Sequence, residues 1–364
     1  MHIPDGYLSP LTCIALYGAS TPAWYVSLRR VKRLFNTRLV PLLSVFSALS
    51  FVIMMFNVPL PGGTTGHAVG VGIATIVLGP SASILAISAA ILIQAVFFGD
   101  GGITTFGANS FNMAIAGSLV AYLVYRAIAG RQALTSSRRV LAAAVAGYLA
   151  INASALCAAV ELGIQPLFFK NAAGAPLYAP YPLNIAVPAM MIGHLTFAGF
   201  AELAVSGGVV AYLQRANPTL LERTAPGVLS GAEDSQSALA RGGWKAAQPL
   251  WLLTALLLVM TPLGILAAGT AWGEWSARDF SNPEMRQRIA VESANVAPPA
   301  RAPRGLGRLS SLWTAPFPQY APPFVRRPAF GYLLSAMFGA GIIILLSLMI
   351  GWLAAGNRGR ETPG

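Results

Sequence analysis

Only three histidines, His2, His67 and His194, occur among the 364 residues, and the first stands beside the amino terminus. A free Met1 amine, the His2 backbone nitrogen and the His2 imidazole Nδ1 can close two fused chelate rings around one cation. Three nitrogens then come from two residues. The amide binds as an anion only after the metal displaces its proton, so affinity should rise with pH as competing protons leave. Strong in-plane nitrogen donors favour a square plane, the preference of Ni(II) and Cu(II) rather than of tetrahedral Zn(II).

A square plane needs a fourth nitrogen, and His67 is the natural candidate. It ends the stretch P-L-P-G-G-T-T-G-H, whose glycines permit close backbone approach and positive φ. Taken singly, a histidine at position 2 is commonly chance and a loop histidine a solvated polar residue. Placed on one membrane face in a chain with three histidines, the two become a candidate metal site. The opening M-H-I-P-D-G carries neither a basic region nor an apolar core, so no signal peptide is read and the mature chain is expected to begin at Met1.

Other polar residues stand around this pair. Asp5, in P-D-G, is expected to cap the first helix or hold the turn that aims the terminus inward, in preference to ligating directly. Asn109 and Asn112, about one helical turn apart in G-A-N-S-F-N-M-A, either orient the second nitrogen of His67 or bond between helices. His194 and Glu202 share one helix face about 12 Å apart, too far to pair directly, and are read as a buried polar network in preference to transport ligands. Glu161 is read as interfacial. Cys13 and Cys157 lie in apolar runs, where cysteine behaves as a small hydrophobe.

The elements that must position these residues are membrane helices. The chain is 55% hydrophobic and only 10% charged, and its long apolar runs can satisfy their backbone groups as helices crossing roughly 30 Å of hydrocarbon. Nine spans are expected, near 9–28, 39–57, 68–79, 81–98, 104–125, 140–161, 183–213, 250–270 and 329–354. The third is short for a crossing, and Pro80 separates it from the fourth. The class is all-α: a polytopic helical bundle with a seven-span body, residues 1–215, and a two-span C-terminal appendage, residues 250–364. The polar, Gly- and Pro-containing stretch 216–249 between them reads as a cytoplasmic linker. Ser44 with Ala48, and Gly70 with Ala74, are small residues at spacing four that permit close helix approach, within the chain or toward a partner membrane subunit.

Charge placement supplies the orientation. Arg29, Arg30, Lys32, Arg33 and Arg38, then Arg126, Arg131, Arg138 and Arg139, then Arg215, Arg223, Arg241 and Lys245, then Arg358 and Arg360 all fall on one side of the alternating spans. The short segments of the other side hold only Lys170. By the positive-inside rule the amino terminus is extracytoplasmic and the carboxyl terminus cytoplasmic. The remaining eight basic residues fall in the long 271–328 loop, which the rule largely exempts, and no basic stripe interleaved with aromatics points to nucleic acid.

The start M-H-I-P-D-G-Y-L-S-P, with G-H-A-V-G and G-A-N-S-F-N-M-A, resembles the CbiM/NikM family, the substrate-binding components of energy-coupling-factor transporters. The resemblance covers residues 1–215, and the appendage resembles the N-type partner fused behind them. It implies Met1, His2 and His67 as ligands, Ni2+ or Co2+ as the transported substrate and no organic cofactor. It also implies a transmembrane coupling component and ATP-binding-cassette subunits as partners, since the chain carries no G-x-x-x-x-G-K-[ST] loop. The appendage reads S-N-P-E-M where the family has an acidic P-D-G-L-like motif.

Two other classes compete. A membrane enzyme would need convergent acid, base or nucleophile groups, and neither H-E-x-x-H nor G-x-S-x-G is present. A channel or exchanger would line a pathway with the same polar positions and work without an ATPase.

Overall fold

The computed structural model describes residues 1–33, 39–60, 64–225, 227–228, 247–267 and 270–358. Each expected span coincides with a helix among these residues. They are α1 (Pro10–Arg33), α2 (Leu39–Met54), α3 (Val71–Leu78), α4 (Pro80–Phe98), α5 (Phe106–Ala129), α6 (Ser137–Phe168), α7 (Leu183–Ala216), α8 (Gln248–Leu266) and, at the end, α11 (Pro328–Arg358). Between α8 and α11 lie the short helices α9 (Pro283–Glu292) and α10 (Arg304–Leu309). Helices α4 to α8 and α11 are long and apolar enough to cross a membrane. The strands β1 (Val58–Pro59) and β2 (Thr65–Gly66) pair antiparallel, Val58 opposite Gly66, and are a small exception to the all-α class.

The third expected span is not a crossing helix. At 1.5 Å per residue, the eight residues of α3 rise only about 12 Å. Buried, non-helical residues 64–70 precede α3, and its far end is held where Thr224 donates to the Ile76 carbonyl at 2.7 Å. Non-helical backbone at such depth survives only when protein groups replace water as its partners.

Local sequence explains the element starts. Ser9 precedes Pro10 and accepts from the Thr12 amide at 3.1 Å, a side-chain cap in front of a proline that gives up no needed donor. Gly79, at φ 76°, turns the chain between α3 and Pro80. Three π turns, Gln94–Phe98, Ser110–Ala116 and His194–Ala198, end α4 and interrupt α5 and α7. Small residues let α3, α6 and α7 meet closely: a Cβ on Gly72 would stand 2.3 Å from Ser206 Oγ, and one on Gly147 2.5 Å from the same atom.

The small-residue face of α2 is used within the chain. Ser44 and Ala48 are both 0% exposed, so they are not an open subunit contact. Helix α2 packs against α4 and also against α8 and α11, and Gly339 of α11 admits the Phe51 ring where a Cβ would collide at 2.1 Å. The C-terminal part is therefore seated on the body, with Tyr332 donating to the Met55 carbonyl at 2.7 Å. Most of the expected linker, residues 229–246, lies outside the described residues, as do Arg38, Arg241, Lys245 and Arg360.

Candidate metal centre

The amino terminus is a plug pushed into the bundle, and its own backbone holds it there. The Ile3 amide donates to Asn109 Oδ1 at 2.8 Å, while the Ile3 carbonyl accepts from Asn109 Nδ2 at 3.1 Å, Thr105 Oγ1 at 2.5 Å and the Gly102 amide at 3.0 Å. Asp5 accepts from the amides of Ile103 at 3.1 Å and Thr104 at 2.7 Å, and from the Thr104 hydroxyl. Gly6, at φ 91°, turns against α10, where a Cβ would meet Leu306 Cα at 2.6 Å. Tyr7 donates to the Trp275 carbonyl at 2.7 Å, and Ser9 donates its amide to Gln165 at 3.0 Å. Met1 and His2 are left 2% and 3% exposed.

These bonds revise three expectations. Asp5 caps neither its own helix nor its own turn but the facing 103–104 loop, because that loop presents two free amides to a carboxylate. Asn109 grips the Ile3 peptide instead of His67. Asn112 donates to Glu161 Oε2 at 2.8 Å, which makes Glu161 a buried interhelical partner and not an interfacial residue.

The candidate donors do converge. His67 Nε2 lies 3.3 Å from His2 Nδ1, with ring centroids 5.0 Å apart. His67 Nδ1 stands 3.0 Å from the Ala68 carbonyl, which can only accept, so Nδ1 carries the hydrogen and Nε2 keeps a lone pair facing His2. Neighbouring corners of a square plane with metal–nitrogen bonds of about 2.0–2.1 Å, as for zinc-bound imidazole, lie about 3 Å apart. Among the described residues no three His, Cys, Asp or Glu side chains form an ion site by themselves, so the chelate depends on the terminal amine and amide.

Two carboxylates flank the nitrogens. Glu274 Oε1 is 3.5 Å from the Met1 amine and Asp100 Oδ1 is 3.0 Å from His2 Nδ1. Asp100 Oδ2 also accepts from the Tyr320 hydroxyl at 2.6 Å. Burial acts to raise the Asp100 carboxyl, yet the charge and hydrogen bond of His2, with His67 and Tyr320, hold it well below the usual range. Burial raises Glu274 despite the opposing pull of the terminal ammonium. His67 is lowered well below the ordinary histidine value, chiefly by burial and then by the ammonium and His2. A neutral imidazole is the form that ligates a metal. A cavity of about 210 Å³ reaches His67, Asp100 and Glu274 and is also lined by Asn57, Gln319 and Tyr332.

The sequence does not single out Asp100 or Glu274, and it marks Tyr320 only as the end of the aromatic patch W-T-A-P-F-P-Q-Y, expected to dock on another surface. Asp100 had a weak local signal in F-G-D-G-G, whereas Glu274 and Tyr320 reach the site from a loop more than 200 residues away. His194 is buried, with Nδ1 2.8 Å from the Met190 carbonyl, and Cys13 and Cys157 are both unpaired thiols.

A family model described as the cobalt uptake substrate-specific transmembrane region, CbiM, matches residues 2–220, and a PDGLE domain model matches residues 247–356. The PDGLE match holds although residues 281–285 read S-N-P-E-M; there Asn282 caps α9 by accepting from the Glu284 amide at 2.9 Å. The fused nickel transport protein NikMN of Rhodobacter capsulatus is 54% identical over 344 residues, covering 94% of this chain and 95% of that protein. The probable fused nickel transport protein LarMN of Lactiplantibacillus plantarum is 40% identical over 95% of this chain and 96% of its own length. A crystal structure described as a transition metal transporter, 45% identical, superposes with a TM-score of 0.58 over 66% of this chain and all (100%) of the other.

Proposed function

Because the chain belongs to the CbiM family and carries a PDGLE domain behind the family's membrane region, it is a nickel/cobalt transport protein of the CbiM/NikM type and not an enzyme; from that premise we propose that it is the substrate-capture component of an ATP-driven importer, taking Ni2+, or Co2+ in second place, at an extracytoplasmic amino terminus. The ligands are the Met1 amine, the His2 amide nitrogen and Nδ1, and His67 Nε2. The observation that carries this reading is the 3.3 Å approach of His67 Nε2 to His2 Nδ1 beside a buried amine. The metal replaces protons on the amine and amide, and the four nitrogens then surround it in a plane. Asp100 and Glu274 offset the charge that the dication brings into a buried place. Nickel ranks first because the plane suits it and because the full-length relatives are named for nickel.

ATP hydrolysis is assigned to separate cassette subunits, joined through a transmembrane coupling component. The N-terminal body 1–215 supplies the ligands, the segment 216–249 is the cytoplasmic connection, and residues 250–364 cover the site. The test uses purified chain with an untagged terminus: it should bind one Ni2+ with the spectrum of a planar nitrogen complex, and one residue added before Met1 should abolish binding. Unchanged nickel and cobalt binding in the extended chain would remove this reading. Metal uptake that persists in cells without the cassette subunits would favour a channel or exchanger instead.

A further inference from the structure

Glu202 lies in α7, far along the chain from His67, and is 0% exposed. Its Oε2 accepts from the amides of Val69 and Gly70, both at 2.8 Å, and its Oε1 accepts from the amide of Gly72 at 3.1 Å and from Ser206 Oγ at 3.4 Å. These donors exist because the chain is not helical over 64–70, so no earlier turn takes them. Gly70, at φ 74°, lets successive amides converge on one carboxylate. Left without partners in a membrane interior, each would be costly.

Filling those bonds is the lesser part of what the residue does. The peptide unit joining Ala68 to Val69 is planar, so its N–H and its C=O turn together. Its N–H points at Glu202, and its C=O accepts the Nδ1 hydrogen of His67 at 3.0 Å. The carboxylate and the imidazole thus hold opposite ends of one rigid plate. Ligating histidines commonly give their second nitrogen to a carboxylate or carbonyl that fixes tautomer and ring angle and strengthens the donor. Here a carboxylate stands behind that carbonyl, and hydrogen bonds in a chain polarise one another.

We propose that Glu202 is the positioning residue of His67: through the Ala68–Val69 peptide it fixes the tautomer and ring orientation in which Nε2 faces the cation chelated by Met1 and His2. This rests on the capture reading above. It also gives α7, which contributes no ligand, a direct hold on the one ligand that does not come from the terminus.

The experiment uses the full chain labelled with 15N-histidine, in which only three rings report. Nitrogen shifts of His67, assigned with His67→Ala, should show the Nδ1–H tautomer in the unsubstituted chain. In Glu202→Gln, which keeps the shape but loses the charge, the other tautomer should appear and Ni2+ affinity should fall about 10- to 100-fold. In a His67→Ala background the same substitution should change affinity no further. The proposal is overturned if Glu202→Gln leaves the His67 tautomer unchanged, or if it weakens binding equally with and without His67. Should that variant fail to insert, Glu202→Asp, which withdraws the charge by about 1.5 Å, is read by the same two measurements. The chain extended before Met1 tests the capture reading separately. If it keeps nickel while the Glu202 effect on the His67 tautomer persists, the amino-terminal site fails and the positioning role stands.

Discussion

Glu274 Oε1 stands 3.5 Å from the amine of Met1, which joins the last-placed domain of the chain to its first atom. The amine side is 0% exposed and the carboxylate side 24% exposed, so Glu274 lies between the buried terminus and the open side of the cavity. The loop that carries it is fastened to the body at several points. Thr65 donates its amide to the Thr270 carbonyl at 3.3 Å, Phe317 donates its amide to the Phe97 carbonyl at 2.9 Å, and Trp313 Nε1 reaches the Val96 carbonyl at 2.8 Å. The PDGLE domain therefore forms part of the wall around the candidate metal centre.

Glu274→Gln should weaken Ni2+ binding about tenfold, a difference of ~1.4 kcal/mol, because one of the two charges offsetting the buried dication is removed. Isothermal titration of the untagged chain measures it. Glu284→Ala is the control, since its ion pair with Arg288 joins side chains 74% and 57% exposed and should not matter. Equal affinity in Glu274→Gln and the unsubstituted chain would take Glu274 out of the site.

Gly102→Ala should dislodge the terminal plug. A Cβ there would stand 2.3 Å from Asp5 Oδ1 and 2.4 Å from the Asp5 backbone nitrogen, and neither can yield without breaking the bonds to residues 103 and 104. The expected outcome is loss of nickel binding with the membrane bundle still folded, read as exposure of the amino terminus to an amine-reactive reagent. A protected amine in this variant would sink the prediction.

Much of this was legible in the residues. The apolar runs forecast the helices because a membrane leaves backbone groups no other partner, and the sequence points to His2 and His67, which the fold brings within 3.3 Å of each other. What escaped was whatever depends on a fold that brings distant parts together. Asn112 makes the bond between helices that is one of its two expected roles, whereas the partners of Asp5 and Asn109 differ from those expected, because hydrogen-bond partners are set by three-dimensional placement. Ser44 and Ala48 do mark a close helix contact, but composition could not tell that α11 of the same chain fills it. For α3, the length of the apolar run before Pro80 marks a short span, but nothing in the sequence tells that Glu202 stands in for the missing turn.

Asp5→Asn should lower nickel affinity more than it lowers the stability of the bundle. The carboxylate accepts two amides and a hydroxyl from the 103–104 loop, and hydrogen bonds to a charged group are worth about 1.5–3 kcal/mol each at most. An amide oxygen in the place of Oδ1 can keep the two bonds to Thr104 and loses the one to Ile103, so a loss on the order of tenfold in affinity is expected, with thermal unfolding of the membrane helices little changed. A variant that unfolds early but binds normally would place Asp5 in general stability instead.

The last prediction concerns pH and the loop over the terminus. Trp275, which is 1% exposed, donates its indole N–H to Glu292 Oε2 at 3.1 Å while its carbonyl receives the Tyr7 hydroxyl at 2.7 Å. Burial pushes the Glu292 carboxyl up to about 7, with Trp275 and Arg288 pulling the other way. An acid raised on folding binds more protons in the folded state than in the unfolded one between its two values. Stability from this group is thus fully present below about pH 4.3 and is lost as pH rises through the raised value. Glu292→Gln resembles the protonated form, since its oxygen still accepts from the indole. Thermal unfolding followed by tryptophan fluorescence should give Glu292→Gln a higher midpoint than the unsubstituted chain at pH 8 and nearly the same midpoint at pH 4. The difference between the two chains is the readout, because other groups that titrate across that range are common to both. A gap that is constant with pH, or one of opposite sign at pH 8, would show that Glu292 ionises freely and does not tie Trp275 to the loop.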